Sequence, residues 1–201
     1  IMRNNRRVEG QNLYGFSMYA TGTINSWLDL YARADGLMSS DDWNKEKDEV
    51  AIIAGAQLRT VQNVAGEMPL DIVEYYIRKD PTDIHQPSTA LITYENADSD
   101  GQVRSVEYMK SVWELAKKYD LPVHIDGARI FNAAAYLGVD VKEMAQYADS
   151  ISVCLSKGLC APVGSVLVGP KAFIDLARRK RKVLGGGMRQ AGILAAAGII
   201  A

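Results

Sequence analysis

The chain has 201 residues, 48% of them hydrophobic, with 23 basic against 24 acidic side chains and a formal net charge of −1. A chain of this length can bury a core of its own, and its interspersed, balanced charge argues against a polyanion-binding surface, so no nucleic-acid partner is expected. No apolar run approaches the ~20 residues of a membrane span, which argues equally against a membrane partner. The two cysteines, Cys154 and Cys160, flank a lysine and form neither a disulfide framework nor a zinc pattern. A reducing cytoplasm and a site without metal are therefore expected.

Residues 1–20 carry Arg3, Arg6 and Arg7, which read as a solvated basic end, the other reading being an approach to a phosphate. Ala20 to Asn25 leads into a helix-like stretch, Ser26 to Tyr31. Small hydroxyl residues at a helix start present N–H groups to an anion, although Thr and Ser are also ordinary N-caps. Leu37 to Lys47 is polar, a loop or a short exposed helix. Glu49 to Ala56 reads as a strand, and Gln57 to Val61 as its continuation or neighbour. Pro69 at a first helical position and Asp71 in the first turn open a helix through Arg78. The loop Asp80 to Asp83 follows, and then His85.

Thr89 to Asn96 is the next strand. Ser105 caps an amphipathic helix that turns Val106, Met109, Val112, Trp113, Leu115 and Ala116 inward. Leu121 to Asp126 is a short apolar strand, in which His124 shares a face with Asp126 and reads as a buried, hydrogen-bonded histidine. Gly127 and Ala128 lead into a helix from Arg129 to Leu137, and Asp140 with Glu143 resembles a capping box. Ser150 to Leu155 is a strand that delivers Lys157 into a Gly/Pro-punctuated turn before a second apolar strand, Ser165 to Val168. Pro170 opens a helix through Lys182 with Phe173, Ile174 and Ala177 inward. Its cationic end, Arg178 to Lys182, suits the helix dipole, a nucleic-acid patch being the other reading. Gly185 to Gly187 is a turn, and Met188, Arg189 and Gln190 open an apolar last helix. Strands alternating with helices predict an α/β fold, a mostly parallel sheet flanked by helices.

A lysine between two apolar strands must be paired, neutralised or chemically used, unless its stem carries the charge out to solvent. Asp126 also stands at a strand end, the edge at which α/β sheets place their ligands. A strand-end lysine with a strand-end aspartate is what pyridoxal phosphate requires: an amine to form a Schiff base with the aldehyde, and a carboxylate to keep the pyridine nitrogen protonated.

Three ungapped blocks carry a resemblance. They are His-Ile-Asp-Gly-Ala-Arg-Ile-Phe-Asn-Ala from His124, Cys-Leu-Ser-Lys-Gly-Leu-Cys-Ala-Pro-Val-Gly-Ser from Cys154, and Leu-Gly-Gly-Gly-Met-Arg-Gln-Ala-Gly from Leu184. In sequence and order they resemble the low-specificity L-threonine aldolases, pyridoxal-phosphate enzymes of fold type I, the aspartate-aminotransferase-like fold. The resemblance implies a single cofactor-binding large domain over 1–201, atypical in its N-terminal part. It implies cleavage of L-threonine or L-allo-threonine to glycine and acetaldehyde. Lys157 then anchors the cofactor, Asp126 holds its ring nitrogen, and Thr21, Gly22 and Thr23 match the family's phosphate loop, with one residue missing after them. His85 stands at an Asp-Ile-His position near the substrate hydroxyl and handles a proton, the plain alternative being a surface loop histidine. Arg129 binds the substrate carboxylate through its planar fork, where the alternative is an ion pair at a helix start. Lys182 and Arg189 match positions that approach the cofactor phosphate of a neighbouring subunit, which implies composite sites in a homo-oligomer, a dimer or tetramer.

The chain also departs from that pattern. Asp48-Glu49-Val50 runs straight into Ala51 where the family has further residues, including a histidine that stacks on the cofactor ring. Asp98 replaces the histidine that usually follows Glu95-Asn96. The sequence opens Ile-Met-Arg and stops at Ala201 within an apolar helix, so a truncated chain without the C-terminal small domain, weak in turnover and associating through Ala191 to Ala201, is expected. Two rivals stand beside this reading: another pyridoxal-phosphate lyase, of β-eliminating type, and a non-catalytic remnant or assembly subunit.

Overall fold

A computed structural model describes residues 53–78, 80 and 82–200. The basic end, Thr21 to Thr23, the Ser26 to Tyr31 stretch and Leu37 to Lys47 lie outside the described residues, as do residues 49–52 of the first expected strand. The chain divides into two compact units, Arg59–Arg178 with Met188–Ala201 and Ile1–Leu58 with Arg179–Gly187. The first of these holds the sheet.

Its elements, in chain order, are α1 (Leu70–Tyr76), β1 (Ile92–Glu95), α2 (Val106–Lys118), β2 (Val123–Asp126), α3 (Ile130–Leu137), α4 (Val141–Ala145), β3 (Ser150–Cys154) and β4 (Ser165–Val168). Helix α5 (Lys171–Val183) begins in this unit, and α6 (Gly192–Ile200) belongs to it. The sheet order is β1-β2-β3-β4. The first three strands are parallel and β4 runs antiparallel to β3. The expected α/β class and mostly parallel sheet are both present. Parallel strands need cover on both faces, which makes their sequences apolar rather than alternating. Val123 and Ile125 accordingly have no exposed surface. Met109, Val112 and Ala116 of α2, Ile130 and Ala133 of α3 and Met144 of α4 join them in one core.

The helices end where local chemistry ends them. Ser105 Oγ accepts the Tyr108 N–H, and Glu107 in the first turn and Lys117 and Lys118 in the last complement the dipole of α2. Gly138, at φ 68°, closes α3 in the left-handed conformation that costs a glycine nothing. Asp140 and Glu143 form the expected capping box on α4. Helix α1 stops at Tyr76, short of the expected Arg78, because the Arg78 N–H is taken by Thr89 Oγ1 at 2.9 Å.

One acid sets the far end of the sheet. Asp149, just before β3, accepts two hydrogen bonds from Lys117 Nζ, at 3.1 and 3.0 Å, and one from the Val123 N–H at 2.8 Å. Its own N–H donates to the Val123 carbonyl at 2.9 Å. The starts of β2 and β3 and the end of α2 are thereby clamped together.

Several expectations need correcting. Gln57 to Val61 is irregular and Ile53 and Ala54 are helical. Gln57-Leu58-Arg59-Thr60-Val61 follows directly on an apolar run, but a strand also needs a partner to take its backbone bonds. Strand β4 forms as expected yet is not a core strand: Val166 and Val168 are 43% and 53% exposed. Pro69 is the N-cap of α1 rather than its first residue, and the last helix begins at Gly192 rather than at Met188. Among the described residues no helix is long and apolar enough to cross a membrane, and no group of His, Cys, Asp or Glu is placed to hold a metal ion.

Candidate active site

Because β1, β2 and β3 are parallel, their carboxyl ends lie on one edge, which places Glu95, Asp126 and Cys154 together there. Asp126 stands between Glu95 and Ser152 in register. It is half-buried, and its Oδ1 accepts the Ala128 N–H at 3.1 Å and a longer bond from Ser152 Oγ at 3.4 Å. Gly127 lets the chain turn away: a Cβ there would lie 2.7 Å from Ile151 Cγ2 and 3.0 Å from the Ser152 carbonyl. The Gly127 N–H instead donates to that carbonyl at 2.8 Å. The carboxylate is thus held by one backbone N–H just past β2 and by one side-chain hydroxyl on β3.

Lys157 follows β3 in a turn closed by main-chain bonds. The Leu155 N–H reaches the Gly164 carbonyl at 2.9 Å, the Ala161 N–H the Leu155 carbonyl at 3.0 Å, and the Cys160 N–H the Lys157 carbonyl at 3.0 Å. Of the alternatives open for Lys157, the one in which it reaches solvent is the one seen, since the residue is exposed. It lies beside an edge strand whose own valines face out, so its ammonium needs no buried partner. Gly158 presses on α3, where a Cβ would come within 2.0 Å of Asn132 Oδ1. That contact ties the lysine turn to the helix that Asp126 leads into. Asn132 and Ser152 are the parts of this site that sequence reasoning missed. A glycine directly after the lysine was the one available signal.

His124 is buried, as expected, with Nδ1 3.0 Å from Ser150 Oγ. Burial pushes its pKa down from 6.5 to about 3, so the ring is neutral when folded. The unfolded chain then binds an extra proton between those values, and stability falls as pH drops below about 6.5. The expected slope is about 1.4 kcal/mol per pH unit. Urea unfolding at several pH values should show this slope, and His124→Asn should remove that part of it; an unchanged slope in the variant would assign the acid sensitivity elsewhere.

Arg129 is the N-cap residue of α3, and its Nη1 donates to Glu95 Oε1 at 3.1 Å. The ion-pair alternative for this arginine is therefore present, on the same edge as Asp126. His85 lies exposed in a turn, its N–H on Asp83 Oδ1 at 2.9 Å, and makes no hydrogen bond to Lys157 or Asp126. Lys182 is exposed in the last turn of α5, where Gly187 lies against its stem: a Cβ there would be 2.6 Å from Lys182 Cδ. Arg189 is exposed just before α6. Thr21, Gly22 and Thr23 lie outside the described residues.

This edge therefore offers an accessible amine on a rigid turn and a half-buried carboxylate oriented by backbone. That donor set fits an aldehyde and a protonated aromatic nitrogen, the two reactive ends of pyridoxal phosphate.

The class follows from comparison with known proteins. The sequence model of the beta-eliminating lyase family matches residues 33–201, and the chain belongs to that family. Among curated relatives it is similar to probable low-specificity L-threonine aldolase 2 of Arabidopsis thaliana, 52% identical over 159 residues, which covers 78% of this chain and 45% of the relative. It is similar also to the low specificity L-threonine aldolase of Escherichia coli K12, 48% identical over 157 residues, 78% of this chain and 46% of the relative. The chain thus spans about half the length of these curated relatives. In three dimensions it resembles a threonine aldolase of Leishmania major with a TM-score of 0.66 at 16% identity, over 79% of this chain and 46% of that one, a likeness of fold.

Proposed function

We propose that this chain supplies the cofactor-binding part of a pyridoxal-phosphate lyase that cleaves L-threonine or L-allo-threonine to glycine and acetaldehyde. The observation that carries the reading is the pair at the carboxyl edge, Asp126 anchored by Ala128 N–H and Lys157 displayed on the turn after the neighbouring strand. The similarity to low-specificity L-threonine aldolases supports the choice of substrate. When bound, pyridoxal phosphate supplies an electron sink for the bond that breaks at the amino acid's Cα.

The protein's own residues do the rest. Lys157 holds the aldehyde carbon, and Asp126 holds a proton at the ring nitrogen. Arg129 binds the substrate's α-carboxylate, and His85 takes the proton of the β-hydroxyl. Thr21, Gly22 and Thr23 cup the phosphate, with Lys182 and Arg189 contributed to a neighbouring subunit's site in a homodimer or homotetramer. The free thiols Cys154 and Cys160 support a reducing, cytoplasmic setting.

The test is product analysis after incubating the chain with pyridoxal phosphate and either threonine diastereomer. Acetaldehyde and glycine in equal amounts are expected. Ammonia with a 2-oxo acid would assign β-elimination instead, which the family match also accommodates. Neither product, from a protein that binds the cofactor, would favour the assembly role.

A further inference from the structure

Glu95 and Arg129 are 34 residues apart in sequence and meet at 3.1 Å, with the arginine side chain 30% and the glutamate side chain 22% exposed. An ion pair this accessible adds little to stability. Its effect is directional, since a planar guanidinium held by one N–H has its remaining donors aimed. The frame is also rigid. Glu95 ends β1 and is the register partner of Asp126, while Arg129 is fixed by the first turn of α3. The pair therefore reaches across the strand end that carries Asp126, linking the edge on one side of it to the helix beyond.

From this we infer that Glu95 is a positioning residue, which aims Arg129 at the α-carboxylate of an amino-acid substrate. The inference rests on the reading of Arg129 given under Proposed function and adds the group that makes that reading work. An arginine free to rotate would lose side-chain entropy each time a carboxylate bound, whereas one already tethered has lost it in folding.

The experiment uses the full chain loaded with pyridoxal phosphate, titrated calorimetrically with glycine and with glycinamide, which lacks the carboxylate. The unmodified protein should prefer glycine. Glu95→Ala should lose about tenfold in glycine affinity, the scale of one charge-assisted hydrogen bond, with glycinamide binding unchanged. Glu95→Gln keeps an oxygen acceptor and should restore most of the loss, while Glu95→Asp, a methylene short, should not. In turnover the same variants should raise KM for L-threonine more than they lower kcat. Circular dichroism checks folding, and should Glu95→Ala fail it, the contrast between Glu95→Gln and Glu95→Asp decides. Glycine binding that is indifferent to every Glu95 variant overturns the inference alone. A parent protein that binds glycine and glycinamide equally overturns the Arg129 reading, and the inference falls with it.

Discussion

Borohydride reduction of the chain after incubation with pyridoxal phosphate is expected to fix the cofactor's mass on the peptide containing Lys157, and Lys157→Ala to lose both the adduct and the visible absorbance. The physical basis is exposure without disorder. The lysine projects from a turn whose backbone bonds run between Leu155, Ala161 and Gly164, so truncating the side chain removes no bond that holds the turn. The variant should keep its fold, and a circular dichroism spectrum matching the parent's checks that. Other lysines serve as internal controls. Lys171 is engaged by Asp175 one helical turn away, and Lys182 stands at the exposed end of α5. An adduct on either of these, with Lys157 unmodified, would remove Lys157 from the anchoring role.

Asp126→Asn is expected to bind the cofactor and cleave threonine poorly. Asparagine keeps an oxygen where the Ala128 N–H and the Ser152 hydroxyl now donate, at 3.1 and 3.4 Å, so the strand end should hold its shape. What disappears is the charge. A neutral amide cannot keep a proton on an aromatic nitrogen, and losses on removing such a group from an active site run at about 100-fold or more in rate. The measurement is acetaldehyde release alongside cofactor affinity. Equal rates for the variant and the parent would show that Asp126 does not face the ring nitrogen.

How much of this site was legible in the sequence depends on how local each feature is. Asp126 and Lys157 could be placed at strand ends because each closes a short apolar run, and parallel strands are written that way. His124 was readable as a core histidine for the same reason. The capping box at Asp140 and Glu143, the Ser105 cap and the turns are encoded within a few residues and were readable too. The exposure of β4 was not. Ser165-Val-Leu-Val is as apolar as a core strand, and whether a neighbour covers it is a property of the assembled sheet. The Glu95–Arg129 bond was out of reach, since nothing in either segment names a partner 34 residues away. Gln57 to Val61 misled because it follows an apolar run and ends in the strand-formers Thr60 and Val61, a preference that does not by itself create a strand.

The clamp at Asp149 has a consequence for inheritance of function. Side chains alternate along a strand, so a slip of one residue between β2 and β3 would turn Asp126 to the opposite face of the sheet. The acid that guards against that slip sits at the far end of both strands from the chemistry. Sequence drift at position 149, or at its partner Lys117, is thus drift in the register that sets Asp126 on its face. Among descendants of this chain, a lineage that lost the clamp would keep every residue of the proposed site and still lose the arrangement of its strand ends.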